Sequence, residues 1–577
     1  MRRTTLVLFG LSLLASVVQA KSPNVVLVIT DDQGYGDLSC HGNPILKTPQ
    51  LDRVHDESIR LTDYHVSPTC SPTRAALLTG HWTNRTGVWH TIMGRSMLRD
   101  NEVTIADVFQ ASGYATGMFG KWHLGDNFPY RPQDRGFDEV LCHGGGGVGQ
   151  TPDHWDNSYF DGSYFHNGVP TPVKGFCTDV FFNAAKDFIK RCKEEDKPFF
   201  TYLATNAPHG PMHSPESFSE PYQDESVNLA NFYGMIANID MNVGRLRKFL
   251  DEQELTNDTI FIFTTDNGSS SGWKTFNSGM RAGKGSAYDG GHRVPFFMRW
   301  PGGGLADAKD VKHLTAHVDV LPTLIELCDL QAPEGVRFDG QSLVPLLRGN
   351  DDNWPDRILV TDSQRVKDPI KWRQSSVMTS QWRMINGKEL YDMTSDHAQA
   401  NDVSDRYPDV MARLRGFYED WWADLEPSFS QSTRIQLGHP KAPEVRLTSH
   451  DWITTKMTPW NQSQVRAAMT GEDKTGFWYL NVATPGKYTV RLRRWPREAD
   501  TAIDAPLPAG DPVPGARAYR STPGAKVDAA LATLRFGDQV LEKAVEPGSK
   551  EVLFELELPA GETTMAARFV TESGKTF

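Results

Sequence analysis

Cysteine is scarce in this chain of 577 residues: six, at positions 40, 70, 142, 177, 192 and 328, none of them in C-x-x-C spacing. That excludes a disulfide-built scaffold and a zinc ribbon or finger. Positive charge is not in excess either, since Lys+Arg 60 against Asp+Glu 72 give a net charge of −12. No global field draws in nucleic acid, and an anionic ligand must be met by local cations. After residue 20 no apolar run is long enough to cross a bilayer, which excludes a multispan membrane protein. Internal repeats are absent. What is present is a 39% apolar composition with a mean hydropathy of −0.46, the profile of a folded chain of several domains.

Residues 1–20 combine Arg2 and Arg3, an apolar stretch over 6–18 and a small-residue end at Val18-Gln19-Ala20. This pattern predicts a secretory signal peptide cleaved after Ala20, hence an exported protein, periplasmic or secreted, with no stable membrane anchor. In an oxidising compartment Cys177 and Cys192, which flank a helical stretch, are candidates for pairing.

Residues 24–30 (NVVLVIT) and 259–264 (TIFIFT) are continuous β-rich runs of the kind that fills buried, parallel strands. Between them helical patterns (103–111, 180–192, 228–250) alternate with strand patterns (114–119, 198–204). The expectation is an α/β domain over 21–353, a large mixed central sheet flanked by helices. A smaller α+β unit is read over 354–430, with short strands at 371–378, 382–386 and 389–391 and a closing helix at 407–422. Residues 445–577 read as strand and turn only, an all-β, sandwich-like appendage.

Ligands of such sheets sit beyond the carboxyl ends of strands. Asp31-Asp32 follows the first strand, Asp266-Asn267 the strand at 259–264, and His209 the strand at 198–204. Hard oxygens at two strand ends suit a divalent cation such as Ca²⁺, with Mg²⁺ an alternative, although each cluster alone also reads as an Asx turn. Cys70-Ser71-Pro72-Thr73-Arg74 opens a short helix closed by Gly80. A side chain at that N-terminus faces unpaired N–H groups, a position that suits an anion or an acidified thiol.

The run C-S-P-T-R-A-A-L-L-T-G from Cys70 resembles the signature of the type I, formylglycine-dependent sulfatases of the alkaline phosphatase superfamily. D-D-Q-G-Y-G-D at Asp31, G-K-W-H-L-G at Gly120, A-P-H-G-P at Ala207, T-D-N-G at Thr265 and A-G-K-G-S at Ala282 extend the likeness in family order across about residues 24–425. The resemblance implies an arylsulfatase-like enzyme in which a maturation enzyme oxidises Cys70 to Cα-formylglycine. It implies a metal held by Asp31, Asp32, residue 70, Asp266 and Asn267, and a catalytic set of Cys70, Arg74, Lys121, His123, His209 and Lys284. In that set Lys121 and Lys284 meet the sulfate oxygens, Arg74 orients the hydrate, His123 takes its proton and His209 protonates the leaving oxygen.

Aromatic and polar side chains interleave in three loops: Trp89-His90, 143–166 and 273–292. They suit stacking on sugar faces and hydrogen bonds to hydroxyls, which makes His90, His143, Asp153, His154, Arg281, Asp289 and His292 candidates for substrate contact. The leading expectation is an exported hydrolase of sulfate esters on sugars or polysaccharide. Its rivals are a phosphonate or phosphate diester hydrolase of the same superfamily and a catalytically silent glycan-binding protein.

Overall fold

The structure, a computed structural model, describes residues 22–469, 475–515 and 518–577; the expected signal peptide lies outside them. No helix among the described residues is long and apolar enough to cross a membrane.

A ten-stranded mixed sheet forms the centre, in the order Lys309–Val311, Ile59–Leu61, Phe296–Arg299, Thr259–Thr265, Asn24–Thr30, Phe199–Ala204, Ala115–Lys121, Glu139–His143, Ser163–His166, Val169–Pro172. Its five middle strands, from Thr259–Thr265 to Glu139–His143, are mutually parallel. Asn24–Thr30 lies between Thr259–Thr265 and Phe199–Ala204, with every residue buried. Alternate residues Val25, Leu27 and Ile29 enter one apolar core, and Val26 and Val28 the other. A strand covered on both faces must read as one hydrophobic run, as this one does.

The helices Cys177–Glu194 and Val227–Glu252 pack on one face through Phe181, Phe182, Ile189, Met235, Ile239 and Val243. The helix Cys70–Thr79 is wholly buried on the other. Cys177 and Cys192 stand at opposite ends of one helix, about 22 Å apart at 1.5 Å per residue, and each is a free thiol. The expected pairing is therefore excluded, because a disulfide needs Cα atoms within about 7 Å.

Four antiparallel strands, Leu359–Asp362, Ser375–Met378, Trp382–Ile385 and Glu389–Asp392, carry the helix Pro408–Leu425 on one face. The second strand starts at 375 rather than 371, because Trp372 and Gln374 take left-handed φ values of 66° and 43° and turn the chain first. Beyond it a five-stranded sheet (Ile435–Leu437, Trp478–Val482, Gly561–Thr571, Ala529–Phe536, Gln539–Ala544) packs against the pair Gly486–Leu492 and Val552–Leu558 over a shared core of Leu480, Leu534, Phe554, Leu556 and Phe569. The region is not strand and turn alone: Gln462–Arg466 is a helical turn, capped reciprocally by Asn461 and Gln464.

Candidate active site

The parallel strands deliver the site. Asn24–Thr30 and Thr259–Thr265 run in register and end side by side, so Asp31-Asp32 and Asp266-Asn267 emerge together. Lys121 ends Ala115–Lys121, two strands away. Gly120 precedes it with φ +114°, and a Cβ there would sit 1.8 Å from Ala204 O, so only glycine permits this approach. Cys70 opens its helix behind Thr69, whose side chain makes no capping bond. Asp32 and His123, at φ 71° and 64°, hold left-handed conformations that are costly for non-glycine residues and concentrate at functional sites.

Ion pairs knit these groups. Lys121 Nζ lies 2.6 Å from Asp31 Oδ2, with both side chains fully buried. Arg74 donates from Nη2 (2.8 Å) and Nε (3.1 Å) to Asp266 Oδ2 and from Nη1 to Lys121 O (2.9 Å). Lys284 Nζ meets Asp32 Oδ1 at 2.5 Å, and His209 Nε2 lies 3.9 Å from Asp32 Oδ2. Asp266 Oδ1 accepts from Asp32 N, and Asn267 Nδ2 donates to Asp32 Oδ1. Three cations, the buried Arg74 and Lys121 and the partly exposed Lys284, thus converge in a protein of net charge −12. The composition demanded local cations of any anion site, and these three, each held by a carboxylate, are such cations.

The same residues fit a divalent cation. One ligand atom from each of Asp31, Cys70 and Asp266 lies within 4.8 Å of the others, all three buried. Asp31 Oδ1 and the carbonyl oxygen of Asn267, Oδ1, are buried with no hydrogen-bond partner, an arrangement that otherwise costs free energy. Burial first, then the neighbouring Asp31 carboxylate, hold the Asp266 carboxyl above the usual range, and a cation between the two would relieve that repulsion. Hard oxygen donors of this kind suit Ca²⁺ or Mg²⁺.

The two histidines differ in their free nitrogens. His123 donates from Nε2 to Thr91 O at 2.8 Å, which leaves Nδ1 as a bare, buried acceptor. Burial and then Lys121 hold its pKa well below the usual value, so the ring is a neutral base. His209 donates from Nδ1 to Gly210 O at 2.7 Å and turns Nε2 toward Asp32. Burial pushes it down to about 3, against the Asp32 carboxylate. Gly146 presses on the first ring, for a Cβ added there would lie 2.2 Å from His123 Cε1. Gly146→Ala is therefore expected to displace His123 and lower kcat by about 10- to 100-fold, with a melting temperature that falls only a few degrees; steady-state kinetics beside a thermal melt test this.

The substrate-loop candidates divide. His90, His143 and Asp153 are buried and hydrogen-bonded within their loops, although His143 Nε2 is buried without a hydrogen-bond partner. His90 Nδ1 accepts from Thr91 N and Ile92 N, His143 Nδ1 meets Gly144 O, and Asp153 accepts from Gly144 N, Gly149 N and Asn157 Nδ2. His154 Nδ1 meets Trp155 O. Arg281 and Asp289 turn into the four-stranded unit, and His292 is held within the α/β domain. Arg281 stacks on Tyr288 and donates to Gln399 O; Asp289 pairs with Arg383; His292 lies between His65 Nδ1 and Ala287 O. Sequence reading missed His450, whose ring centroid lies 6.0 Å from that of His123. No local signal marks it, because the contact joins distant parts of the chain.

Comparison with known proteins agrees with this geometry. The family model described as Sulfatase matches residues 23–330, and one described as N-sulphoglucosamine sulphohydrolase, C-terminal, matches 283–417. Human arylsulfatase A is 34% identical over 366 residues, covering 59% of this chain and 70% of that protein. The N-acetylgalactosamine-6-sulfatase of Canis lupus familiaris is 32% identical over 363 residues, covering 57% and 66%. The solved structure of Ps i-CgsB in complex with k-i-k-neocarrahexaose superposes with a TM-score of 0.63 at 26% identity, covering 69% of this chain and 92% of that one. With more than half its length matched, and the matched strands bringing their acidic and basic residues into one cluster, the chain belongs to the sulfatase family: it is a type I sulfatase of the alkaline phosphatase superfamily, a sulfuric ester hydrolase.

Proposed function

We propose that this protein is an exported hydrolase that releases inorganic sulfate from sulfate monoesters on sugars, with Cys70 converted to Cα-formylglycine by a maturation enzyme. The observation that carries the reading is the convergence of Arg74, Lys121 and Lys284 on buried carboxylates beside residue 70. Relatives support the sugar, since Ps i-CgsB is complexed with a neocarrahexaose and a relative is named for N-acetylgalactosamine 6-sulfate. Asp31, Asp32, Asp266, Asn267 and residue 70 would hold Ca²⁺, which supplies fixed positive charge against developing oxyanions. A formylglycine hydrate at position 70 supplies one hydroxyl that attacks sulfur and a second whose collapse to the aldehyde expels sulfate.

The chain's own residues do the rest. Lys121 and Lys284 are the ammonium groups placed to hold sulfate oxygens and lower their repulsion of a nucleophile. His123 Nδ1, the bare acceptor, takes the proton of the attacking hydroxyl. His209 Nε2, 3.9 Å from Asp32 Oδ2, protonates the departing alcohol oxygen, and the charge of a bound sulfate ester favours its imidazolium form. Arg74, fixed by Asp266 and Lys121 O, orients residue 70 one helical turn away.

The test is sulfate release from a panel of sulfated monosaccharides and 4-nitrophenyl sulfate, beside bis(4-nitrophenyl) phosphate. The sulfate esters are expected to turn over at least 100-fold faster. Faster phosphodiester turnover would establish the rival hydrolase instead. Dialysis against a chelator should remove at least nine-tenths of the activity, with Ca²⁺ restoring it more fully than Mg²⁺; full activity in metal-free protein would refute the ligand set.

A further inference from the structure

The two family models end at residue 417, so the role of the β appendage must be read from its contacts. It grips the two loops that flank His123. On the loop after Trp89, Met93 N donates to His450 O at 2.7 Å. On the glycine-rich loop after His143, Thr151 N donates to Trp460 O, Gln462 N to Gly149 O, and Gln462 Nε2 to His154 O, each at 3.0 Å. Arg466 pairs with Asp156, and Glu498 accepts from Trp155 N.

Two appendage side chains arrive at the catalytic groups by this route. His450 is 1% exposed and stands beside His123. Its Nδ1 lies 3.2 Å from Asp451 Oδ1, while Nε2 is buried without a hydrogen-bond partner. A ring held by a carboxylate through one nitrogen presents the other as an acceptor. Tyr519 lies on Gly149, where an added Cβ would come 2.9 Å from its Cδ2, and packs edge-on against Trp460 at 5.9 Å. It sits within electrostatic reach of Lys284 and Tyr159, and the Tyr159 hydroxyl donates to His209 O at 2.7 Å. The carboxylate beside His450 is that of Asp451.

We propose that the appendage builds the leaving-group subsite of the active site, with His450 and Tyr519 contacting the sugar ring that carries the sulfate. An imidazole acceptor, a phenol and an aromatic edge suit a neutral, hydroxyl-bearing pyranose. The Asp451 carboxylate beside the imidazole disfavours a uronic acid. The inference rests on the sulfatase reading above and assigns a specificity role to the segment that the family models leave unmatched.

His450→Ala, His450→Gln, Tyr519→Ala and Tyr519→Phe are compared with the unsubstituted enzyme on 4-nitrophenyl sulfate and on the neutral monosaccharide sulfate it hydrolyses fastest. Both alanine variants are expected to lower the saccharide-to-aryl ratio of kcat/KM at least 10-fold, mainly through KM. His450→Gln, which keeps an acceptor, should recover part of the ratio, and melting curves confirm that each variant folds. An unchanged ratio, or equal loss on both substrates, overturns the subsite by reducing the two side chains to supports of the loops. So does a sulfated uronate turned over faster than every neutral sugar. Failure of the sulfatase reading looks different, for then the unsubstituted enzyme releases sulfate from neither substrate; in that event the subsite fails with it.

Discussion

Cys70→Ala should abolish sulfate release, with kcat reduced by about 10⁴-fold or more, the scale seen when a covalent nucleophile is removed. The expectation follows from position. Cys70 is 2% exposed, opens a helix that is buried along its whole length, and shares a ligand cluster with Asp31 and Asp266. The adjoining groups are fixed independently of its sulfur: Arg74 by Asp266, Lys121 by Asp31, His123 by Thr91 O. Loss of one buried sulfur should therefore cost only about 1 kcal/mol of stability, and the inactive variant should still melt cooperatively. Mass spectrometry of the peptide containing residue 70 separates this idea from a thiol mechanism. Formylglycine is expected in active protein, and an unconverted thiol at full activity would refute the proposal, because a thiol has no geminal hydroxyl to expel sulfate.

How far the sequence carried this picture depends on the range of the interactions involved. The strands Asn24–Thr30 and Thr259–Thr265 were legible because burial on both faces demands an uninterrupted β-rich run. The strands Ile59–Leu61 and Lys309–Val311 were not, since three residues are too few for a periodicity. Likewise the acidic and basic residues of the site are local to strand ends and a helix start, where spacing and chemistry coincide. Arg281 and Asp289 share that polar character, yet their partners Gln399 and Arg383 lie in the four-stranded unit, and His292 is held by His65 and Ala287, so sequence could not distinguish a structural clamp from a pocket. The helical turn Gln462–Arg466 was signalled by Asn461-x-x-Gln464, a cap pattern hidden among strand signals.

Arg74→Met is the second substitution with a large expected effect, and it acts on stability and activity together. The guanidinium is fully buried and binds Asp266 Oδ2 twice and Lys121 O once. Burial alone would lower its pKa, but the combined attraction of Asp266 and of its other neighbours, Asp31 among them, raises it above the ordinary guanidinium value. Methionine fills much of the volume but leaves the Asp266 carboxylate with Asp31 close by and one fewer cation. Breaking a buried pair in this way costs about 3–5 kcal/mol, so the melting temperature should fall clearly, while kcat drops by about 10³-fold or more as residue 70 loses its orienting group. Arg74→Lys retains the charge but cannot reproduce the forked donation to Asp266 and to Lys121 O. It should recover most of the stability and little of the activity. If both variants melted like the unsubstituted protein and kept more than a tenth of its kcat, the buried Arg74–Asp266 pair would have no part in holding the nucleophile.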